Sequence, residues 1–148
     1  MADTAIKNAA AVRDWMRLGC PVLKPNARFS VDYMSEKAGE YSIQIIPALL
    51  RSRENILGET VPLDEQEQSF YFAARLSFTQ DIRTQIENHA FFQQVIDWIL
   101  SKNAAREFPE WSGGVVKSIM PTLTEDISRV SGDTAEYRIQ IKIVYRRT

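Results

Sequence analysis

Two side chains of this 148-residue protein are of types that do nucleophilic or acid–base chemistry, Cys20 and His89, and each is the sole residue of its kind. A thiolate with an imidazole base is a workable nucleophile. Here Pro21 follows Cys20 at an expected helix end and no recognisable signature surrounds it. His89 falls on the same helical stripe as Ile82, Ile86, Ile96 and Leu100, which points to a structural role, and one histidine cannot build a histidine-rich metal site. The carboxylates Asp64, Glu65 and Glu67, and Glu125 with Asp126, fall in polar connections that read as solvated surface. At most they would hold a loosely bound Mg²⁺ or Ca²⁺. The chain has no G-x-x-x-x-G-K-[ST], G-x-G-x-x-G or C-x-x-C motif. The expectation is therefore a protein that is not an enzyme, with no catalytic residue, cofactor or resident metal.

Composition narrows the partners. A length of 148 residues, 45% hydrophobic and 25% charged, fits one soluble domain with one core. Eighteen basic against nineteen acidic residues leave a net charge of -1, too little field to hold a polyanion, so sequence-specific nucleic acid is not an expected partner. No apolar run approaches the roughly 20 residues of a membrane span. A single cysteine and an N-terminus without the order of a secretory signal fit a reducing cytoplasm.

The elements follow from periodicity. Ala5, Ala9, Val12 and Met16 recur at helical spacing, predicting a helix from Thr4, its cap, to Leu18, ended by Gly19 and Pro21. Alternation at Phe29, Val31 and Tyr33, and again at Tyr41, Ile43 and Ile45, predicts a β-hairpin turning at Glu36–Gly39. Residues 47–67 show neither period and read as a long arm or loop. Phe70 to Phe78 alternate as a strand, and Asp81 caps a second helix reaching about Ala105. Residues 103–114 read as a loop, Val115 to Leu123 as an edge strand containing Pro121, and Tyr137 to Arg146 as the best-formed strand. The predicted fold class is α+β, one domain over residues 1–148, with a mainly antiparallel sheet covered on one face by two helices.

Three surfaces stand out as places for partners. The second helix carries Ile82, Ile86, His89, Phe92, Ile96, Ile99 and Leu100 on the stripe expected to cover the sheet. Phe91, Val95 and Trp98 lie on another face, where either the first helix packs or a neighbouring subunit docks. The last strand puts Arg138, Lys142 and Arg146 on the other sheet face, either solvated or paired with acids of an adjacent copy, such as those between Glu59 and Glu67. The arm's Leu49, Leu50, Ile56, Leu57, Val61 and Leu63 are too many apolar groups for a solvated loop, and it is the leading partner-docking element.

From Phe70 onward the residues resemble the tail-terminator, or minor capsid, proteins of long-tailed bacteriophages and related prophages. The resemblance rests on Phe72, Ala73 and Arg75, then Asp81, Arg83, Ile86-Glu87-Asn88, Phe91, Phe92 and Asp97-Trp98. Ala11-Val12-Arg13-Asp14-Trp15, Tyr41-Ser42-Ile43, Tyr137-Arg138-Ile139-Gln140 and Tyr145 extend it over most of the chain. It implies a structural virion protein without catalytic residues, a small α+β subunit that closes a ring, commonly hexameric, on the end of the tail tube. Its implied partners are copies of itself, the tail-tube protein and head-completion or neck proteins, and its implied place is the head–tail junction of the virion, after assembly in the bacterial cytoplasm. The chain departs from that pattern between Leu49 and Gln66, which is longer than the family's turn. A neck connector, or a small-ligand or regulatory domain with a polar pocket, are the competing readings.

Overall fold

The computed structural model describes residues 2–34 and 37–148. Helix α1 (Ala2–Gly19) is followed by strands β1 (Phe29–Val31), β2 (Tyr41–Ile45), β3 (Ser52–Glu54), β4 (Thr60–Pro62) and β5 (Glu65–Ser77). Then come helix α2 (Ile82–Ala105) and strands β6 (Gly114–Ser131) and β7 (Thr134–Arg147). Five strands form one sheet in the order β1-β2-β5-β7-β6, and β3 and β4 form a separate two-stranded ribbon. Every pairing except β1–β2 is antiparallel. The α+β class with helices packed on a mainly antiparallel sheet is thus what the chain adopts.

The alternation of β7 organises the sheet. Ala135, Tyr137, Ile139, Ile141 and Ile143 are buried and face the helices. The strand register sets them opposite Leu76, Ala74, Phe72, Phe70 and Gln68 of β5 on one side. On the other side β6 presents Val130, Ile127, Pro121 and Ile119 to the same face. α1 contributes Ala9, Val12 and Met16, and α2 contributes Phe92, Val95, Ile96 and Ile99. Scattered aromatics meet between them. Tyr41 stacks on Phe91 at 5.9 Å, Phe91 meets Phe92 edge-on at 5.1 Å, and Phe92 reaches Tyr137 at 6.0 Å.

Several expected boundaries move, each for a local reason. α1 starts at Ala2, so Thr4 lies inside it and is not its cap. β1 and β2 are not a hairpin but a parallel pair, and Asp32, at a left-handed φ of 57°, stands where β1 ends. Asp32 Oδ1 accepts the Ile45 N–H at 2.8 Å and stabilises that crossing. Gly39 of the expected turn has φ 87°, while Glu36 lies outside the described residues. The polar stretch after Leu123 continues as β6, and Gly132 (φ 61°) makes the tight turn into β7. β6 is a sheet edge, as Pro121 indicated, and its pairing slips at four bulges or irregularities between Val116 and Arg129. At its start Gly114 lets two backbones touch, since a Cβ there would lie 2.5 Å from the Arg146 carbonyl oxygen.

Two polar clasps lock the helices to this frame. Asp81 Oδ1 accepts the Arg83 N–H at 3.0 Å, the expected cap of α2. The buried Asn8 side chain donates to the Ser112 carbonyl at 3.2 Å and accepts the Ser112 N–H at 2.8 Å, tying α1 to the loop before β6. Replacing Asn8 with alanine leaves two backbone groups unpaired, and is expected to lower stability by about 1–3 kcal/mol in a denaturant titration.

Candidate interaction surfaces

Among the described residues, the two side chains singled out for chemistry sit in different surroundings. Cys20 is buried at the end of α1, and burial pushes its thiol above its ordinary range, which disfavours the thiolate a nucleophile needs. His89 is not in the core as its stripe predicted. Its side chain is 63% exposed, with Nδ1 2.6 Å from Glu125 Oε1 and its ring edge-on to Tyr137 at 6.5 Å. Among the described residues no group of three His, Cys, Asp or Glu side chains is placed to hold a metal ion, and no helix is long and apolar enough to cross a membrane.

The α2 face bearing Phe91, Val95 and Trp98 is internal rather than free. Val95 is fully buried, Phe91 is half-buried on Tyr41, and Trp98 meets Trp15 of α1 at 4.5 Å. α1 fills the place that a neighbour might have taken. The same rotation of α2 turns Ile82, Ile86 and Leu100 outward, correcting the expectation that they cover the sheet. The buried positions of α2 begin only at Asn88, whose Nδ2 donates to the carbonyl of Ser77, the last residue of β5, at 2.8 Å. No residue of α2 before Asn88 is buried, as fits a helix that starts past the end of β5.

The open sheet face carries Arg138, Lys142 and Arg146 as expected, but much of its charge is matched within the chain. Arg138 bonds Asp126 at 3.4 Å and lies over the Tyr71 ring at 4.1 Å, while Lys142 lies 3.8 Å from Glu67. Lys117 donates to Glu65 at 2.8 Å, and this bond holds the Glu65 carboxyl below its usual range. The acids foreseen on a neighbour are therefore supplied mainly by β5 and β6 of the same copy, and Arg146 is the exposed exception. An open polar hollow of about 410 Å³ lies on this face between Asp32, Gln44, Arg129, Glu136 and Arg138. Its Glu136 already accepts from Gln44 at 3.3 Å and is bonded by Ser128.

The arm is a hairpin, not a loop. β3 pairs with β4 through Ser52–Pro62, Arg53–Val61 and Glu54–Thr60. Its tip is closed by Asn55, whose Oδ1 accepts the N–H groups of Leu57 and Glu59, both at 2.9 Å, with Gly58 at φ 79°. Its base is gripped by the buried Gln66, which accepts the Arg51 N–H at 2.9 Å and donates to the carbonyls of Arg51 and Leu63, both at 2.8 Å. Val61 and Leu63 are half-buried, whereas Leu49, Leu50, Ile56 and Leu57 stand in solvent, Ile56 as fully as in an extended chain. A fixed ribbon thus holds bare apolar groups away from its own core.

Sequence reasoning missed further exposed apolar groups on the helix side. Ile127 and Val130 of β6 lie on the helix-side face, one strand out from Tyr137 and Ala135, and are 45% and 51% exposed. Ile82 and Ile86 project from the flank of α2 that His89 shares, toward β6, and are 69% and 61% exposed. The signal was weak because 124–133 reads as polar connection rather than strand.

Two outcomes follow from these contacts. Burial raises the pKa of Tyr41 as well as that of Cys20, so both favour the folded state only while protonated. Stability should hold below pH 9.0, the ordinary thiol value, and fall as pH climbs beyond it; thermal melts at rising pH check this, with a shallower decline for Cys20→Ala. Replacing Gln66 with leucine removes the grip on the arm, and hydrogen exchange should show the Arg51 amide opening about tenfold more readily.

No family model matches the chain, and no curated protein matches it. Among solved structures it is similar, over 100% of its own length and 98% of the other chain, to a protein whose name states no function, at a TM-score of 0.51 and 10% identity. That likeness speaks for the fold alone.

Proposed function

We propose that this chain is a structural subunit of a bacteriophage particle, a tail terminator that forms a homo-oligomeric ring on the tail tube and joins the tail to the head. The observation that carries the self-association is the arm. It is a hydrogen-bonded ribbon clamped at its root by Gln66, and Ile56 and Leu57 at its tip touch nothing that would keep them from water. Exposed apolar groups on a rigid support mark an interface. The assignment to phage tails rests on the resemblance of the sequence. Its scattered residues Tyr41, Phe72, Phe91, Phe92 and Tyr137 meet in one aromatic cluster beneath α2, so the matching positions are those that shape the subunit.

A ring needs unlike patches that meet head to tail with a rotation that returns to the start. On this reading the copies assemble in the bacterial cytoplasm and function at the head–tail junction of the virion, with the tail-tube protein on one side and neck proteins on the other. Negative-stain images of the purified protein with tail tubes are expected to show rings with a central hole, six copies each, seated on tube ends. Light scattering should return a multiple of 16.9 kDa. A strictly monomeric protein that ignores tail tubes would refute the proposal, and co-purification with portal rather than tube protein would assign it to the neck.

A further inference from the structure

We propose that a monatomic anion of the halide class, typified by chloride, binds beneath the connection from β1 to β2, held by the guanidinium of Arg75 and the hydroxyl of Ser42. The site lies inside one copy and is independent of the self-association proposed above.

The connection must cross one face of the sheet. β1 and β2 run in parallel, so after Asp32, which bonds Ile45, the chain has to return along β2 to enter it again at Tyr41. Tyr33 and Met34 line the open-face hollow with Gln44, Glu136 and Arg138, which puts that part of the return on the side away from the helices. Three residues of this same face are shut off from water: Ser42 and Ala73 are 0% exposed and Arg75 is 1% exposed. Near the end of the return, Gly39 donates its N–H to the Arg75 carbonyl at 2.7 Å, and Arg75 donates its own to the Glu40 carbonyl at 2.9 Å.

What is enclosed there is a set of donors without an acceptor. Arg75 Nε and Nη1 and Ser42 Oγ are closed to solvent and have no hydrogen-bond partner, and Arg75 takes part in no ion pair among the described residues. Buried polar groups in native proteins are nearly always bonded, and an enclosed cation without a counter-charge is strongly destabilising. Ser42 pairs with Ala73, and Arg75 lies two residues further along the same strand. That diagonal is about 7–8 Å between backbones, which a long side chain spans. Ala73 between them offers only a methyl group. The carboxylate opposite Arg75 on β7, that of Glu136, is engaged elsewhere: one oxygen accepts from Gln44 and the other from Ser128.

Charge and size select the ligand. A water molecule would satisfy the hydrogen bonds but leave the charge uncompensated. Phosphates and carboxylates bring further oxygens and a covalent remainder, for which groups with so little accessible surface leave no room. A single-atom anion accepts from Arg75 and Ser42 together and neutralises the cation, fastening the return of the chain to the sheet.

Thermal melts of the full chain at fixed ionic strength, with sodium gluconate replaced stepwise by sodium chloride or bromide, test the site. The melting temperature is expected to climb with halide and not with gluconate, because a ligand bound only by the folded state stabilises it. Ser42→Ala removes one donor and should shift the halide response to about tenfold higher concentration. Arg75→Met keeps the length of the side chain without its charge and should abolish the response. Crystals of the parent grown in bromide are expected to show an anomalous-scattering peak within hydrogen-bond reach of Arg75 and Ser42 Oγ, a readout that needs neither variant to fold. A parent whose melting ignores halide, or a halide response that persists in Arg75→Met, overturns the proposal. So does a crystal with bromide only elsewhere, and with water or a turned carboxylate of Glu40 or Glu136 against Arg75.

Discussion

The strict alternation of β7, held between two antiparallel neighbours, is the constraint on which the rest of the molecule depends. A strand with partners on both edges cannot slip by one residue without turning every inward isoleucine to water. Ile139, Ile141 and Ile143 are buried to within 1% of complete exclusion, so that slip would expose most of the core. With β7 fixed, the register of β5 and β6 is fixed, and α1 and α2 have one apolar surface on which to settle.

The consequences run outward through α2. Its buried residues form one stripe over the sheet, and Asn88 pins the point where that stripe begins. No residue of α2 before Asn88 is buried, and the isoleucines of its first turns stand in solvent. The same geometry places Trp98 against Trp15 and uses up the flank that a neighbour might otherwise have occupied. What is available to a partner is therefore decided by how far each element outruns the one it packs on.

How much of this could be read in the residues varied with the range of the forces involved. The strong alternations of β5 and β7, the capping Asp81 and the edge-marking Pro121 are local signals, and the elements they foretold are present. The parallel pairing of β1 and β2 was not legible, because it is accompanied only by a left-handed Asp32 and a side-chain bond to Ile45 across the sheet. The faces of α2 were misjudged for a related reason: a helical stripe shows which residues are apolar but not where the surface beneath it stops. Of the candidate sites, the arm's apolar residues were legible from composition alone, whereas Gln66, which gives the arm its direction, looks in the sequence like any surface glutamine. The basic open face was legible too, though not that Glu65, Glu67 and Asp126 would answer it from within the same chain.

The outer border of the sheet carries a last implication. β6 is long and has a free side, a ready template for another strand, yet its pairing is interrupted four times and Pro121 lacks an amide hydrogen to offer. A second molecule cannot zip along so uneven a margin. Endless cross-strand stacking, the route to fibrils, is thereby disfavoured along this margin.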